Sequence, residues 1–173
     1  IGSEHFLDGV DITPDEFIAR LGKTVGTVES VPPSVQEFRD VYTRLNQSTD
    51  AIVSIHLSSK LSETYHNAAE ARDALRDRCR VVAVDTQLVS MGLGFIVLAA
   101  AQAAKAGASL DEVARLVRGM LPQTHILFFV ENMEYLQRGG HLGKAQANIG
   151  PITNIKPLLR LESGDIFPLE KVR

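Results

Sequence analysis

The chain contains 173 residues with a formal net charge of −3, and 45% of them are hydrophobic and 23% charged. This composition is typical of a soluble globular protein and excludes an intrinsically disordered one, and the length suffices for one domain or for one domain and part of another. Basic residues do not alternate with aromatic ones in any block, so we expect no nucleic-acid partner.

Capping signals and apolar periodicity predict a regular succession of helices and strands. Thr13, Ser34 and Ser109 each stand three residues before a glutamate, which is typical of a helix start. In chain order the predicted elements are a helix over residues 14–21, a short strand over 24–28, a helix over 35–45, a strand over 51–57, a helix over 63–78, a strand over 81–84, helices over 90–105 and 110–120, a strand over 125–130, a short helix over 133–138, and a hairpin over 158–161 and 166–172.

The order of these elements predicts an α/β fold. Strands alternate with helices up to residue 123, which indicates crossover units and a parallel sheet covered on both faces by helices. The hairpin breaks this alternation, so we expect a first α/β domain over residues 1–123 and the beginning of a smaller α+β domain over residues 124–173. Because the chain lacks an initial methionine and stops directly after a strand, we expect a fragment of a longer protein.

Three features bear on location and cofactors. The longest apolar stretch, Met91 to Ala104, is too short to span a membrane, so we expect no integral membrane protein, while transient membrane contact stays open. The single cysteine, Cys79, excludes an intrachain disulfide and is typical of a reducing cytoplasm, where we expect the protein. Cysteine and histidine residues lack metal-ligand spacing, and we expect neither a metal nor a cofactor.

A loop rich in hydroxyl groups is the first candidate site. Ser58, Ser59, Ser62 and Thr64 lie between a predicted buried strand and the following helix. Ligands usually bind at the carboxyl ends of strands in open α/β sheets, and hydroxyls near a helix start suit an anion. The alternative is a helix cap with solvated serines.

Three further positions are candidates. Ser30 lies in a proline-stiffened loop and has no evident local structural role, whereas Ser34 fits a helix cap. Asp85 follows a predicted strand and is either catalytic or a cap of the next turn. Arg138 and His141 flank paired glycines and could contribute charge to an anion site, although a helix stop explains the glycines equally well.

Five segments, taken together and in order, resemble the DegV family of bacterial fatty-acid-binding proteins. Residues 52–65 read IVSIHLSSKLSETY and are similar to the family stretch I-x-S-I-H-L-S-S-K-L-S-G-T-Y. The other four segments are residues 30–38, similar to T-S-Q-P-S-x-x-E-F, residues 135–142, similar to Y-L-x-K-G-G-R-I, residues 154–159, similar to N-I-K-P-I-L, and residues 171–173, which match K-V-R.

The resemblance implies a two-domain carrier that binds a long-chain fatty acid in an apolar tunnel and presents its carboxylate to a separate fatty acid kinase, which forms an acyl phosphate. It implies that Ser30, Ser58, Ser59 and Ser62 hold the carboxylate, with Ser62 foremost. Arg173 would supply charge. Apolar residues of the segments 91–104 and 126–130 would line the tunnel.

Three residues depart from the family pattern. Ser30 replaces a threonine and keeps the hydroxyl, Glu63 replaces a glycine beside the proposed carboxylate site, and His141 replaces an arginine. A fixed positive charge thereby becomes a titratable one, so ligand affinity or coupling to the kinase could differ here.

Two functions of other classes stay open. A serine hydrolase or acyltransferase could use Ser62 with His56, His66 or Asp85, but the G-x-S-x-G elbow of α/β-hydrolases is absent from the sequence. A regulatory module could bind a phosphorylated metabolite, but the sequence contains no P-loop. We therefore predict a non-enzymatic carrier without a cofactor.

Overall fold

A computed structural model describes residues 1–24, 28–130, 133, 136 and 156–172. The chain divides into two compact units, Ile1–Val31 and Pro32–Arg173. In the first unit, helix α1 (Pro14–Leu21) begins after Thr13, whose hydroxyl accepts a hydrogen bond from the Glu16 amide while the Glu16 carboxylate accepts one from the Thr13 amide. This reciprocal pairing satisfies two amides that a helix start otherwise leaves without partners.

The second unit contains the remaining helices and strands. In chain order they are α2 (Val35–Leu45), β1 (Ala51–His56), α3 (Thr64–Ala74), β2 (Arg80–Asp85), α4 (Ser90–Lys105), α5 (Leu110–Met120), a 3-10 turn (Leu121–Gln123), β3 (Ile126–Phe129), β4 (Lys156–Glu162) and β5 (Asp165–Val172). None of the helices in the described part of the chain combines the length and hydropathy that crossing a bilayer requires.

Strands β1 and β2 pair in parallel, from Ala51 opposite Arg80 to His56 opposite Asp85. Their side chains alternate between two apolar layers because successive residues of a strand point to opposite faces. On one face Ile52 and Val81 pack with helices α2 and α3 through Tyr42, Ala68 and Ala71, and on the other Val84 packs with α4 and α5 through Ile96, Val113 and Val117. Helices therefore cover both faces of the parallel strands.

The other three strands form an antiparallel sheet in the order β3–β4–β5. A two-residue turn, Ser163–Gly164, joins β4 to β5, and both residues have positive φ angles of 50° and 84°. Such a turn matches the twist of the strands it connects. Leu159, Leu161 and Ile166 of this hairpin are buried in the same apolar cluster as α4 and α5.

The structure confirms the predicted fold class, an α/β arrangement of parallel strands covered by helices and followed by an antiparallel hairpin. Helices α1, α2, α4 and α5 have the predicted bounds, but α3 ends at Ala74, four residues before the predicted end at residue 78. After Ala74 the chain turns, and the Cys79 amide donates to Leu75 O. This turn places Leu75 and Cys79 in the core, where both are buried. The predicted strand over 24–28 and helix over 133–138 fall largely outside the described residues, and the domain boundary near residue 124 stays a prediction.

Candidate functional site

The carboxyl ends of β1 and β2 lie side by side, at His56 and Asp85, and the loops that follow are bonded to each other. We call residues 57–63 the serine loop. The Ser58 amide donates to Leu88 O at 2.9 Å, and the Thr86 hydroxyl donates to His56 O at 2.8 Å. The predicted hydroxyl-rich loop thus lies at the sheet edge where open α/β folds bind their ligands.

Ser58 connects the serine loop to the hairpin. Its side chain is fully buried, and its hydroxyl donates to Gly164 O at 3.0 Å while accepting from the Lys60 amide at 3.2 Å. Lys60 also forms an ion pair with Asp165, the residue after the turn. Two residues of one loop are therefore held against the tip of a hairpin that begins about a hundred residues later in the chain.

Ser59 connects the same loop to Asp85. The Ser59 amide donates to Asp85 Oδ1 at 3.2 Å, and the Ser59 hydroxyl donates to Oδ2. The Gln87 amide also donates to Oδ1, at 2.9 Å, so Asp85 caps the turn that follows β2. Of the two roles that the sequence allowed for Asp85, the geometry shows capping.

Ser62 and Thr64 form a separate pair at the start of α3. Their hydroxyl oxygens are 2.7 Å apart, the Thr64 amide donates to Ser62 Oγ at 3.3 Å, and both side chains are half-buried. Glu63 occupies the position before the helix, but its side chain caps no amide. Ser62 therefore supplies a local cap and still carries a hydroxyl that can turn toward a ligand.

The loop after β2 has an unusual backbone. Gln87 in this loop and Ser90, the first residue of α4, are not glycines but have φ angles of 57° and 53°. Left-handed backbone at residues with a Cβ costs free energy and is concentrated at functional sites, where the surrounding structure holds it in place. Here the Asp85 carboxylate holds the Gln87 amide, and the Thr86 hydroxyl accepts from the Leu88 amide at 3.2 Å.

A chain of hydrogen bonds lies behind the site, on the face of β1 that α2 covers. The Tyr42 hydroxyl donates to Ser54 Oγ at 2.7 Å, and Ser54 Oγ is 2.7 Å from His56 Nε2. Burial lowers the pKa of His56, although the nearby Asp85 acts in the opposite direction, and burial raises the pKa of Tyr42. A neutral imidazole accepts the Ser54 bond at Nε2, which completes the chain.

Sequence reasoning missed this chain of hydrogen bonds. The available signal was the pair of polar residues at positions 54 and 56, two apart in an otherwise apolar strand and hence on one face.

The residues proposed for a hydrolase are not assembled around Ser62 in the described part of the chain. His56 bonds to Ser54, and Asp85 bonds to Ser59 and Gln87. His66 is exposed, and its ring packs against that of Tyr65 with centroids 5.6 Å apart. The hydroxyl partner of Ser62 is Thr64, which is not a base.

The structure places the other predicted site residues as follows. Ser30 belongs to the first unit and is exposed. Arg138, His141 and Arg173 lie outside the described residues. The roles of Ser30, Ser58, Ser59, Ser62 and Arg173 as carboxylate ligands stay predictions. Over the described ranges, no cluster of three or more His, Cys, Asp or Glu side chains could hold a metal ion.

Apolar surface is available near the site. A cleft of about 740 Å³ is lined by residues of the loop after β2, the 3-10 turn, β3 and the hairpin, among them Leu88, Leu121 and Leu127. Its volume lies within the usual range for small-molecule sites. Helix α4 exposes Met91, Phe95 and Leu98 at 60%, 59% and 54%, one above the next along one side of the helix.

Comparison with known proteins identifies the family. The family model described as "Uncharacterised protein, DegV family" matches residues 1–173. A DegV domain-containing protein of Streptomyces coelicolor is 39% identical over 174 residues, and Protein DegV of Bacillus subtilis is 38% identical over 171. These alignments cover 100% and 98% of this chain but 61% and 60% of the relatives, so the chain spans about three fifths of their length.

Solved structures agree. A structure from Thermus thermophilus, described as showing fatty acid binding of a DegV family protein, matches 95% of this chain and 58% of its own at 34% identity with a TM-score of 0.85. DegV of Bacillus subtilis, described as a fatty acid binding protein, matches 82% of this chain and 50% of its own at 37% identity with a TM-score of 0.73. The chain belongs to the DegV family.

Proposed function

We propose that the protein containing this chain binds a long-chain fatty acid and that the Ser62 hydroxyl donates a hydrogen bond to its carboxylate. The observation that carries the proposal is the half-buried Ser62–Thr64 pair at the start of α3, at the carboxyl edge of the parallel strands. The relatives described as fatty acid binding proteins support the ligand class.

The chemistry at this position suits a carboxylate. The amides at the start of an α-helix and its dipole favour negative charge, and α3 has 11 residues. A hydroxyl that bonds to another hydroxyl exchanges a neutral hydrogen bond for a stronger, charge-assisted one when it turns to a carboxylate. Ser58 and Ser59 belong to the predicted carboxylate ligands, but their hydroxyls already have partners in the fold. We therefore propose that these two serines hold the loop and that Ser62 meets the ligand.

The acyl chain requires an apolar wall. We assign it to residues of α4 and β3, as the family resemblance implies. Met91, Phe95 and Leu98 are exposed along one side of α4, and Leu127 and Phe129 are exposed on one face of β3. Each group supports this assignment, because contiguous exposed apolar side chains mark binding surfaces. The cleft beside β3 contains Ile126 and Leu127 but none of the serines of the serine loop.

The rest of the proposal follows from the family motifs alone. Ser30 and Arg173 would contact the carboxylate, and Arg138 and His141 would contribute charge. The bound acid would be presented to a separate kinase in the cytoplasm, which forms the acyl phosphate, and the chain itself would not be an enzyme.

The ligand is tested by native mass spectrometry on the longest chain that contains these 173 residues. We expect about one fatty acid for each chain, released by organic extraction. A folded preparation that carries none, and that binds none when a long-chain fatty acid is added, would overturn the proposal. Turnover of a generic ester that disappears with Ser62→Ala would overturn it in favour of a hydrolase.

The role of Ser62 is tested by Ser62→Ala. Loss of a hydrogen bond to a charged group costs about 1.5–3 kcal/mol, so we expect fatty-acid affinity to fall roughly ten- to hundredfold. Ser109→Ala is the matched control, because Ser109 caps α5 in a complete capping box. That change should lower stability by about 0.5–2 kcal/mol and leave affinity unchanged. If Ser62→Ala behaves like the control, Ser62 is only a cap.

A further inference from the structure

The tip of the hairpin is seated directly on the serine loop. Gly164 is buried, has a φ of +84°, and accepts the Ser58 hydroxyl at its carbonyl oxygen. A Cβ at position 164 would lie 2.5 Å from Ser58 Oγ, a distance that real Cβ atoms do not show, and 3.4 Å from Lys60 Cδ. The close approach therefore requires glycine for space as well as for backbone conformation.

Ser58 in turn fixes the position of Ser62. The Ser58 carbonyl oxygen accepts from the Leu61 amide at 3.0 Å and from the Ser62 amide at 3.2 Å. The Ser58 amide is held by Leu88 O, so the hydroxyl, the amide and the carbonyl of one residue are all engaged. A displacement of Ser58 is thus transmitted through one hydrogen bond to the residue that carries the proposed ligand hydroxyl.

We propose that Gly164, acting through Ser58, is a positioning residue for the carboxylate site: the hairpin turn sets the path of the serine loop and with it the direction of the Ser62 hydroxyl. The inference rests on the proposed function. It makes the antiparallel sheet part of the binding site through a residue that does not itself touch the carboxylate.

The contact differs from an ordinary stabilising one in what it controls. A hairpin that only stabilised the fold would change the melting temperature and leave the folded protein's affinity intact. A hairpin that positions the serine loop changes the affinity of the folded protein, because a hydrogen bond to a carboxylate weakens steeply when its donor is displaced or misaligned.

The test is Gly164→Ala, measured by fatty-acid affinity and melting temperature on the longest chain that contains these residues. The matched control is Gly107→Ala. Gly107 has a φ of +92°, and a Cβ added there would meet nothing within 4 Å, so this variant carries similar backbone strain without the collision. We expect about a tenfold loss of affinity for Gly164→Ala, the lower end of the range for losing a charged hydrogen bond. Gly107→Ala should keep the affinity of the wild type.

Ser58→Ala is the second variant, and it removes the hydroxyl without adding bulk. Because residues 58 and 164 act through one contact, we expect the double variant to bind no more weakly than the weaker single one. Equal affinity of Gly164→Ala and wild type, or additive losses in the double variant, would overturn the inference while leaving the proposed function intact. Absence of fatty-acid binding by the wild type would overturn both.

If Gly164→Ala does not fold, the inference is tested by Ser58→Ala alone. We then expect weaker fatty-acid binding together with faster amide hydrogen exchange at Ser62. Wild-type affinity in a folded Ser58→Ala protein would overturn the inference.

Discussion

The first and second halves of the serine loop contain the same kind of side chain and are held in different ways. In the first half, Ser58 and Ser59 direct their hydroxyls to Gly164 O and to the Asp85 carboxylate, which lie far away in sequence. In the second half, the hydroxyl of Ser62 bonds to that of Thr64, the first residue of α3. Ser58 is fully buried, so turning its hydroxyl away would leave Gly164 O unsatisfied, and Ser59 would give up a charged acceptor. The half-buried hydroxyls of Ser62 and Thr64 share a neutral bond, which costs less to exchange for another partner. Of these four neighbouring hydroxyls, those of Ser58 and Ser59 hold the loop in place, and the Ser62–Thr64 pair can supply a donor to a ligand.

Removal of the Asp85 carboxylate should damage the first half most. The carboxylate accepts hydrogen bonds from the Ser59 amide, the Ser59 hydroxyl and the Gln87 amide. We expect Asp85→Ala to lower the free energy of unfolding by about 3 kcal/mol, because two backbone amides lose a charged acceptor. Chemical denaturation measures this loss.

Asp111→Ala provides the control for this change. Asp111 is exposed and faces Arg80 at 3.8 Å, so its loss should cost less than about 1 kcal/mol. Similar small losses for Asp85→Ala and Asp111→Ala would show that the first half of the loop is not rigidly supported, and the contrast between the two halves would disappear.

The difference between local and distant partners also explains what the sequence predicted. The starts of α1, α2 and α5 were predictable because Thr13, Ser34 and Ser109 find their partners three residues ahead. The place of the serine loop at the strand ends followed from the alternation of strands and helices. The partner of Ser58 is 106 residues away, and no local pattern encodes it. The early end of α3 was equally hidden, since it depends on burying Leu75 and Cys79 in the tertiary fold.

Low pH should lower the free energy of unfolding through His56, which ends the chain of hydrogen bonds behind the first half of the serine loop. Burial holds the pKa of His56 below its ordinary value, and Asp85 opposes this only in part. The unfolded chain therefore takes up a proton more readily than the folded one. Stability is then lost as the pH falls through the unfolded pKa of about 6.5 and toward the lower folded one.

We expect the free energy of unfolding of the wild type to decrease between about pH 7.5 and about pH 5, and to decrease less in His56→Gln. His66→Gln is the control, because His66 is exposed. Denaturation curves across this range, fitted at each pH, give the comparison. Parallel pH dependence of wild type and His56→Gln would mean that His56 is not kept neutral by the fold.

The smallest effect is expected for the ion pair beside the Ser58–Gly164 contact. Lys60 and Asp165 join the serine loop to the hairpin as Ser58 does, but their side chains are 46% and 40% exposed. An ion pair in contact with water contributes little to stability, because solvent and salt screen the charges and the side chains lose conformational freedom. Lys60→Met should therefore change the free energy of unfolding by less than about 1 kcal/mol. Asp165→Asn should have a similar effect, and the double variant should cost no more than either. Denaturation at low salt and at about 1 M salt measures the electrostatic share, which should vanish at high salt. A loss above about 2 kcal/mol for Lys60→Met would mean that the ion pair attaches the serine loop to the hairpin. A smaller loss would mean that the buried, uncharged bond between Ser58 and Gly164 attaches it.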